Sequence, residues 1–227
     1  MSIEQPPNVI FNDLTTAIDA LSLCASLIED SESNVQRLRW AIIVSHQAAQ
    51  CWMIRALARN GEARVLNTNR KEVLKYLEEL RDYPETGHYP SLPSRALESF
   101  ERLYAKVKDG SPAGMGQLMN SVAFNPDPEI DRYIADLNSF RNMFVHFGPG
   151  GWILESCWAV HCLEASHKLI SFLTRDSNNI LWFPSELQGD VYRLVNRATV
   201  AIERLKARYC PTNALVRLVP AVDPAEV

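Results

Sequence analysis

The stretch Trp40-Ala-Ile-Ile-Val-Ser-His-Gln-Ala-Ala-Gln-Cys-Trp-Met-Ile54 is apolar nearly all round and contains neither Pro nor Gly. A helix of that kind must have neighbours on several sides, which places it inside a helical assembly. Trp152 to Ile170 has the same character. Apolar residues recur at helical spacing along most of the chain and predict helices at about 11–30, 34–59, 70–82, 94–109, 128–147, 152–175 and 185–209. Gly61, Pro84, Gly87, Pro90, Pro93, Gly110, Pro112, Pro126 and Pro184 punctuate the joints. No run combines β-branched alternation with hairpin turns, so no substantial sheet is expected. The expected fold class is all-α, a helical bundle with an inserted segment of short helices and loops.

The insertion is expected over about 62–126, where the chain is more charged and richer in Pro and Gly. The helices on either side of it need each other to bury their faces, so residues 1–210 are expected to form a single helical domain. From Pro211 on there are three prolines and no helical period, and 211–227 is expected to be a flexible tail.

Composition narrows the function classes. The 227 residues are 47% hydrophobic and 22% charged, enough for a sizeable core. A net charge of -4 argues against a generally basic nucleic-acid binder, so any nucleic acid must be held by a local patch or a few specific contacts. The N-terminus lacks the basic and apolar regions of a signal peptide. The longest apolar stretch, Trp40 to Leu57, is interrupted by His46, Gln47, Gln50 and Arg55, which suits a buried helix and not a membrane span. A cytoplasmic protein without membrane contact is expected. Its five cysteines, an odd count, are then expected to be reduced.

The chemistry concentrates in Leu137-Asn-Ser-Phe-Arg-Asn-Met-Phe-Val-His-Phe-Gly-Pro-Gly-Gly-Trp152. Asp127 and Pro128 suit the start of this helix, and the Gly148-Pro-Gly-Gly151 run its end. At 100° per residue Ile130, Ile134, Leu137, Phe140 and Phe144 share one face, and Arg141 falls inside that arc. An arginine there needs a carboxylate, a phosphate or several acceptors. Asn142 and His146, four apart, project together from the neighbouring face. Such a set suits a metal-free phosphodiesterase. Arginine offers a planar fork to a phosphate and its developing charge. Histidine moves the proton of a ribose 2′-OH or of the leaving 5′-oxygen. Asn142 can orient either partner. The plainer reading is an internal ion pair beside a surface histidine.

Arg141-Asn-Met-Phe-Val-His146 resembles the R-x(4–6)-H signature of the HEPN superfamily, including a polar residue directly after the arginine. The helices around it, at about 30–60 and 128–175, fit the resemblance; 62–126 has no counterpart in it. The resemblance implies a HEPN-type helical bundle that dimerises, placing two motifs across a shared cleft. It implies a metal-independent endoribonuclease, a toxin or defence effector, with Arg141 and His146 as the catalytic pair and Asn142 as the polar residue. RNA would be the substrate, no cofactor would be needed, and an antitoxin or nucleotidyltransferase would be a possible partner. Members that have lost activity imply an alternative, a silent helical module that pairs with a protein or nucleotide.

A second group, His46, Gln47 and Gln50, lies within about 100° on the otherwise apolar helix. These residues are expected either to support Arg141 and His146 or to form a polar strip at a solvent edge or subunit contact. The resemblance implies an acidic residue on this helix to serve Arg141; a glutamine stands there instead, which turns attention to Glu155 and Glu164. Cys157, His161, Cys162 and His167 invite a metal reading, but paired close-spaced ligands are lacking and small apolar cysteines packed in a core explain them; no metal is expected. The basic groups Arg37, Arg39, Arg55, Arg59, Arg64, Arg70, Lys71 and Arg193, Arg197, Arg204, Lys206, Arg208 are scattered among glutamates, as on an ordinary solvated face.

Overall fold

The computed structural model describes residues 13–59, 65–67, 70–87, 97–109, 118, 122–146 and 153–211, the side chains of 70, 73 and 86 excepted. These residues form α1 (Asp13–Asp30), α2 (Arg37–Ala58), α3 (Arg70–Thr86), α4 (Phe100–Lys108), α5 (Pro128–Val145), α6 (Ser156–Ser171) and α7 (Glu186–Tyr209). Among the described residues, β pairing is limited to one isolated bridge between Leu66 and Leu97. The all-α expectation holds. The expected tail falls outside the described residues from 212 on, as does the Gly148–Gly151 stop.

Two helices occupy the centre. α2 packs against α1, α4, α5 and α6, and α6 against α2, α5 and α7. Their all-round apolar sequences are the cause: Ala41, Ile42, Ala48, Ala49, Trp52 and Met53 of α2 and Val160, Leu163 and Leu169 of α6 are all fully or almost fully buried. Where the two cross, Ser45 donates to Ser166 across 2.8 Å, so each hydroxyl is satisfied within the core. Among the described residues, no helix is long and apolar enough to cross a membrane.

Helix ends follow local chemistry more closely than the apolar period did. α5 starts where expected: Asp127 Oδ1 accepts from the Ile130 backbone N–H at 2.9 Å, with Pro128 in the first turn. α4 starts at Phe100 and not near 94, because Ser99 caps it by accepting from the Arg102 N–H. α6 starts at Ser156 and not at 152, leaving Glu155 as its cap residue. α3 continues past Pro84 to Thr86, beyond the expected end near 82. A proline removes a donor, yet three exposed turns precede it here and its effect is local.

Candidate active site at the end of α5

The apolar face of α5 is as the periodicity requires. Ile134, Leu137 and Phe144 are buried, and Ile130 and Phe140 pack on the core. Arg141 shares that face but is only half-buried. Near the end of α5 its long stem can lie along the apolar surface while the guanidinium reaches solvent. Nη1 of Arg141 donates to Asn142 Oδ1 at 2.9 Å. Neither Glu155 nor Glu164, nor any other described carboxylate, forms an ion pair with Arg141. The partner demanded by burial is therefore an amide together with solvent, because the group is less buried than its place on the helical wheel implies.

Asn142 is exposed, and its backbone carbonyl oxygen accepts from the His146 backbone N–H at 3.0 Å, closing the last turn. His146 is the residue at the C-terminal cap. Its side chain is exposed and has no hydrogen bond to the described residues. Arg141, Asn142 and His146 thus occupy one helix end, a fork of donors followed by an imidazole open to solvent.

The supporting stripe of α2 divides. His46 is 3% exposed and turns towards α5, where its Nε2 lies 2.9 Å from Asn138 Oδ1. Its ring stacks on Phe100 of α4 at 4.1 Å between centroids. Asn138 Nδ2 in turn donates to the Glu101 carboxylate of α4. That orientation presents the Asn138 oxygen to His46, so His46 donates from Nε2 and keeps its buried Nδ1 unprotonated and without a partner. Burial pushes His46 down to about 4, and the nearby charge of Arg141 adds to the shift. His46 is therefore neutral near pH 7, a positioning group and not a proton store. Gln47 is exposed and donates to Cys51 Sγ at 3.3 Å, and Gln50 is half-buried; neither hydrogen bonds to Arg141 or His146. Glu155 is exposed and makes no side-chain cap bond. The polar chain that links α2, α5 and α4 is His46, Asn138 and Glu101, of which the sequence pointed to His46 alone. Asn138 lies three before Arg141 and four before Asn142, so its place on the polar edge of α5 was visible in the spacing. Glu101 belongs to α4, and no periodicity ties it to α2 or α5.

Other expectations resolve similarly. Arg55 pairs with Asp13 at 2.7 Å, Arg204 with Glu32 at 2.8 Å and Lys206 with Glu164 at 3.1 Å, while Arg193 pairs with Asp190 and Arg197 with Glu29. These cations belong to the protein's own solvated faces. The expectation of reduced cysteines is corrected at one pair: Cys157 and Cys210, 53 residues apart, are joined by a disulfide where the start of α6 meets the end of α7. Tertiary packing alone brings them together. Cys24, Cys51 and Cys162 are free and buried, and burial pushes the Cys24 thiol up to about 12. Of the side chains considered for a metal, Cys162 is fully buried and His167 is turned to Thr199 at 2.8 Å. Cys157, His161 and Cys210 bring their ligand atoms within 4.8 Å of one another, the set among the described residues that could hold an ion. Compared with known families, curated proteins and solved structures, the chain gives no match.

Proposed function

We propose that the protein is a metal-independent endoribonuclease of the HEPN kind, acting through Arg141 and His146. The observation that carries this reading is the state of Arg141: a half-buried guanidinium with an amide and no described carboxylate on it, on the same helix end as an exposed imidazole. An arginine kept for an internal ion pair would have its carboxylate. This one retains donors for a phosphate.

In the proposed reaction the ribose 2′-oxygen attacks the adjacent phosphorus as its proton leaves, and the 5′-oxygen departs with a proton. The products are a 2′,3′-cyclic phosphate and a 5′-OH end. His146 carries one of the two proton transfers, and the same residue of a second subunit carries the other. Arg141 neutralises the charge that builds on the non-bridging oxygens. Asn142 holds one arm of the Arg141 fork, and the bond from His46 to Asn138 fixes α5 one turn earlier. The exposed Met143 and Val145, within the motif, offer apolar side chains for the twofold contact that this reaction needs. A toxin or defence role, restrained by an antitoxin, fits such an activity.

The test is cleavage of total RNA by the purified chain with EDTA present, followed by end-group analysis. Cyclic phosphate ends that depend on Arg141 and His146 support the reading. An RNA left intact by the wild-type protein moves the weight to a silent helical module that binds a partner.

A further inference from the structure

Cys157 and His161 stand one turn apart on α6, and Cys210 follows the last turn of α7, so two sulfurs and an imidazole nitrogen converge. All three residues are half-buried, hence open to solutes from one side. His161 is held on two sides. Its ring stacks on Tyr133 of α5 at 5.0 Å between centroids, and its Nδ1 lies 3.7 Å from Glu164 Oε2. Glu164 is itself fixed by Lys168 at 3.0 Å and Lys206 at 3.1 Å.

We propose that Cys157, Cys210 and His161, when the two thiols are reduced, bind a divalent ion of the zinc class, and that the disulfide is the ion-free, oxidised form of the same site. Two thiolates and one imidazole are a borderline-soft donor set, suited to zinc and poorly suited to magnesium or calcium. With Nδ1 3.7 Å from Glu164 Oε2, Nε2 is the nitrogen left for the ion, and a small closure would bring the carboxylate to Nδ1 as the outer partner usual for a metal-bound histidine. With ions held at about 2.0–2.3 Å from nitrogen and sulfur, the half-buried position leaves a fourth, solvent-filled place.

The chemistry balances in two steps. A dithiol reductant gives two electrons and two protons to the Cys157–Cys210 bond, yielding two thiols while it becomes a disulfide itself. The ion then displaces both thiol protons and binds the two thiolates and the neutral imidazole. Either form ties the start of α6 to the end of α7; only the reduced, ion-free chain leaves that joint open.

The experiment uses the full chain, once reduced with a phosphine that is then removed under anaerobic conditions, and once oxidised. Each sample is titrated with Co²⁺ and then Zn²⁺. Expected are one Co²⁺ per reduced chain, a thiolate-to-cobalt charge-transfer band with the visible bands of tetrahedral cobalt, loss of both on adding Zn²⁺, and no bands from the oxidised chain. Glu164→Gln should weaken binding by about 10–100-fold while the band pattern stays. The comparison of reduced with oxidised wild type needs no variant to fold. A reduced chain without the charge-transfer band overturns the proposal. So does a band that persists unchanged in a Cys157→Ser/Cys210→Ser chain that far-UV circular dichroism shows to be helical, since the ion would then sit on other cysteines.

Discussion

His46 Nε2 lies 2.9 Å from Asn138 Oδ1, and this bond joins the central helix α2 to the polar edge of α5 one turn before Arg141. It turns a histidine from an apolar helix into a neutral, oriented ring, and it sets where the end of α5 rests on the core. Asn138→Ala removes it and leaves a second buried nitrogen of His46 without a partner. The expected loss is about 1–3 kcal/mol in urea unfolding. An unchanged midpoint would show that the bond does not anchor α5.

Acid should weaken the fold well before most carboxylates titrate. His46 and His167 are buried, and burial lowers both from 6.5 to about 4. The unfolded chain therefore takes up protons near pH 6.5 while the native state does not, so stability is full above that pH and falls as pH drops towards about 4. The slope should reach on the order of 1–3 kcal/mol per pH unit within this window. Urea titrations at about pH 7.5, 5.5 and 4.5 measure it. A flat profile would contradict the neutral state assigned to both rings.

His146→Ala should lower RNA cleavage by about 10²–10⁴-fold, the usual worth of a general acid or base. The residue is exposed at a helix end, so the unfolding midpoint should stay within about 0.5 kcal/mol of wild type. Cleavage that persists at the wild-type rate would remove His146 from the mechanism.

Arg141→Lys and Arg141→Ala should both abolish cleavage, because a point charge does not reproduce the planar fork. With Asn142 as the side-chain partner of a half-buried guanidinium, either change should cost no more than about 1 kcal/mol in stability. A loss of several kcal/mol in Arg141→Ala would reveal a buried ion pair and favour the silent module.

Val145→Glu and Met143→Glu each replace an exposed apolar side chain on the surface of the motif with a charge. If that surface forms the twofold contact, sedimentation should show monomers, and cleavage should fall with the loss of the second subunit. A variant that stays dimeric would place the contact elsewhere.

The positions of the helices were legible from the chain alone, because a 3.6-residue apolar period is local and α2 and α6 carry it on every side. The Asp127 cap and the placement of Arg141, Asn142 and His146 at one helix end followed from the same arithmetic. What surrounds those residues did not. The exposure of Arg141 depends on how the end of α5 packs against its neighbours, which no helical wheel contains. The link from His46 through Asn138 to Glu101 joins residues up to 92 apart. The Cys157–Cys210 bridge spans 53 residues and contradicts the expected reduced thiols. Periodicity specifies which face of a helix is apolar; only the packing of α4, α5 and α7 against α2 and α6 decides which polar groups meet there.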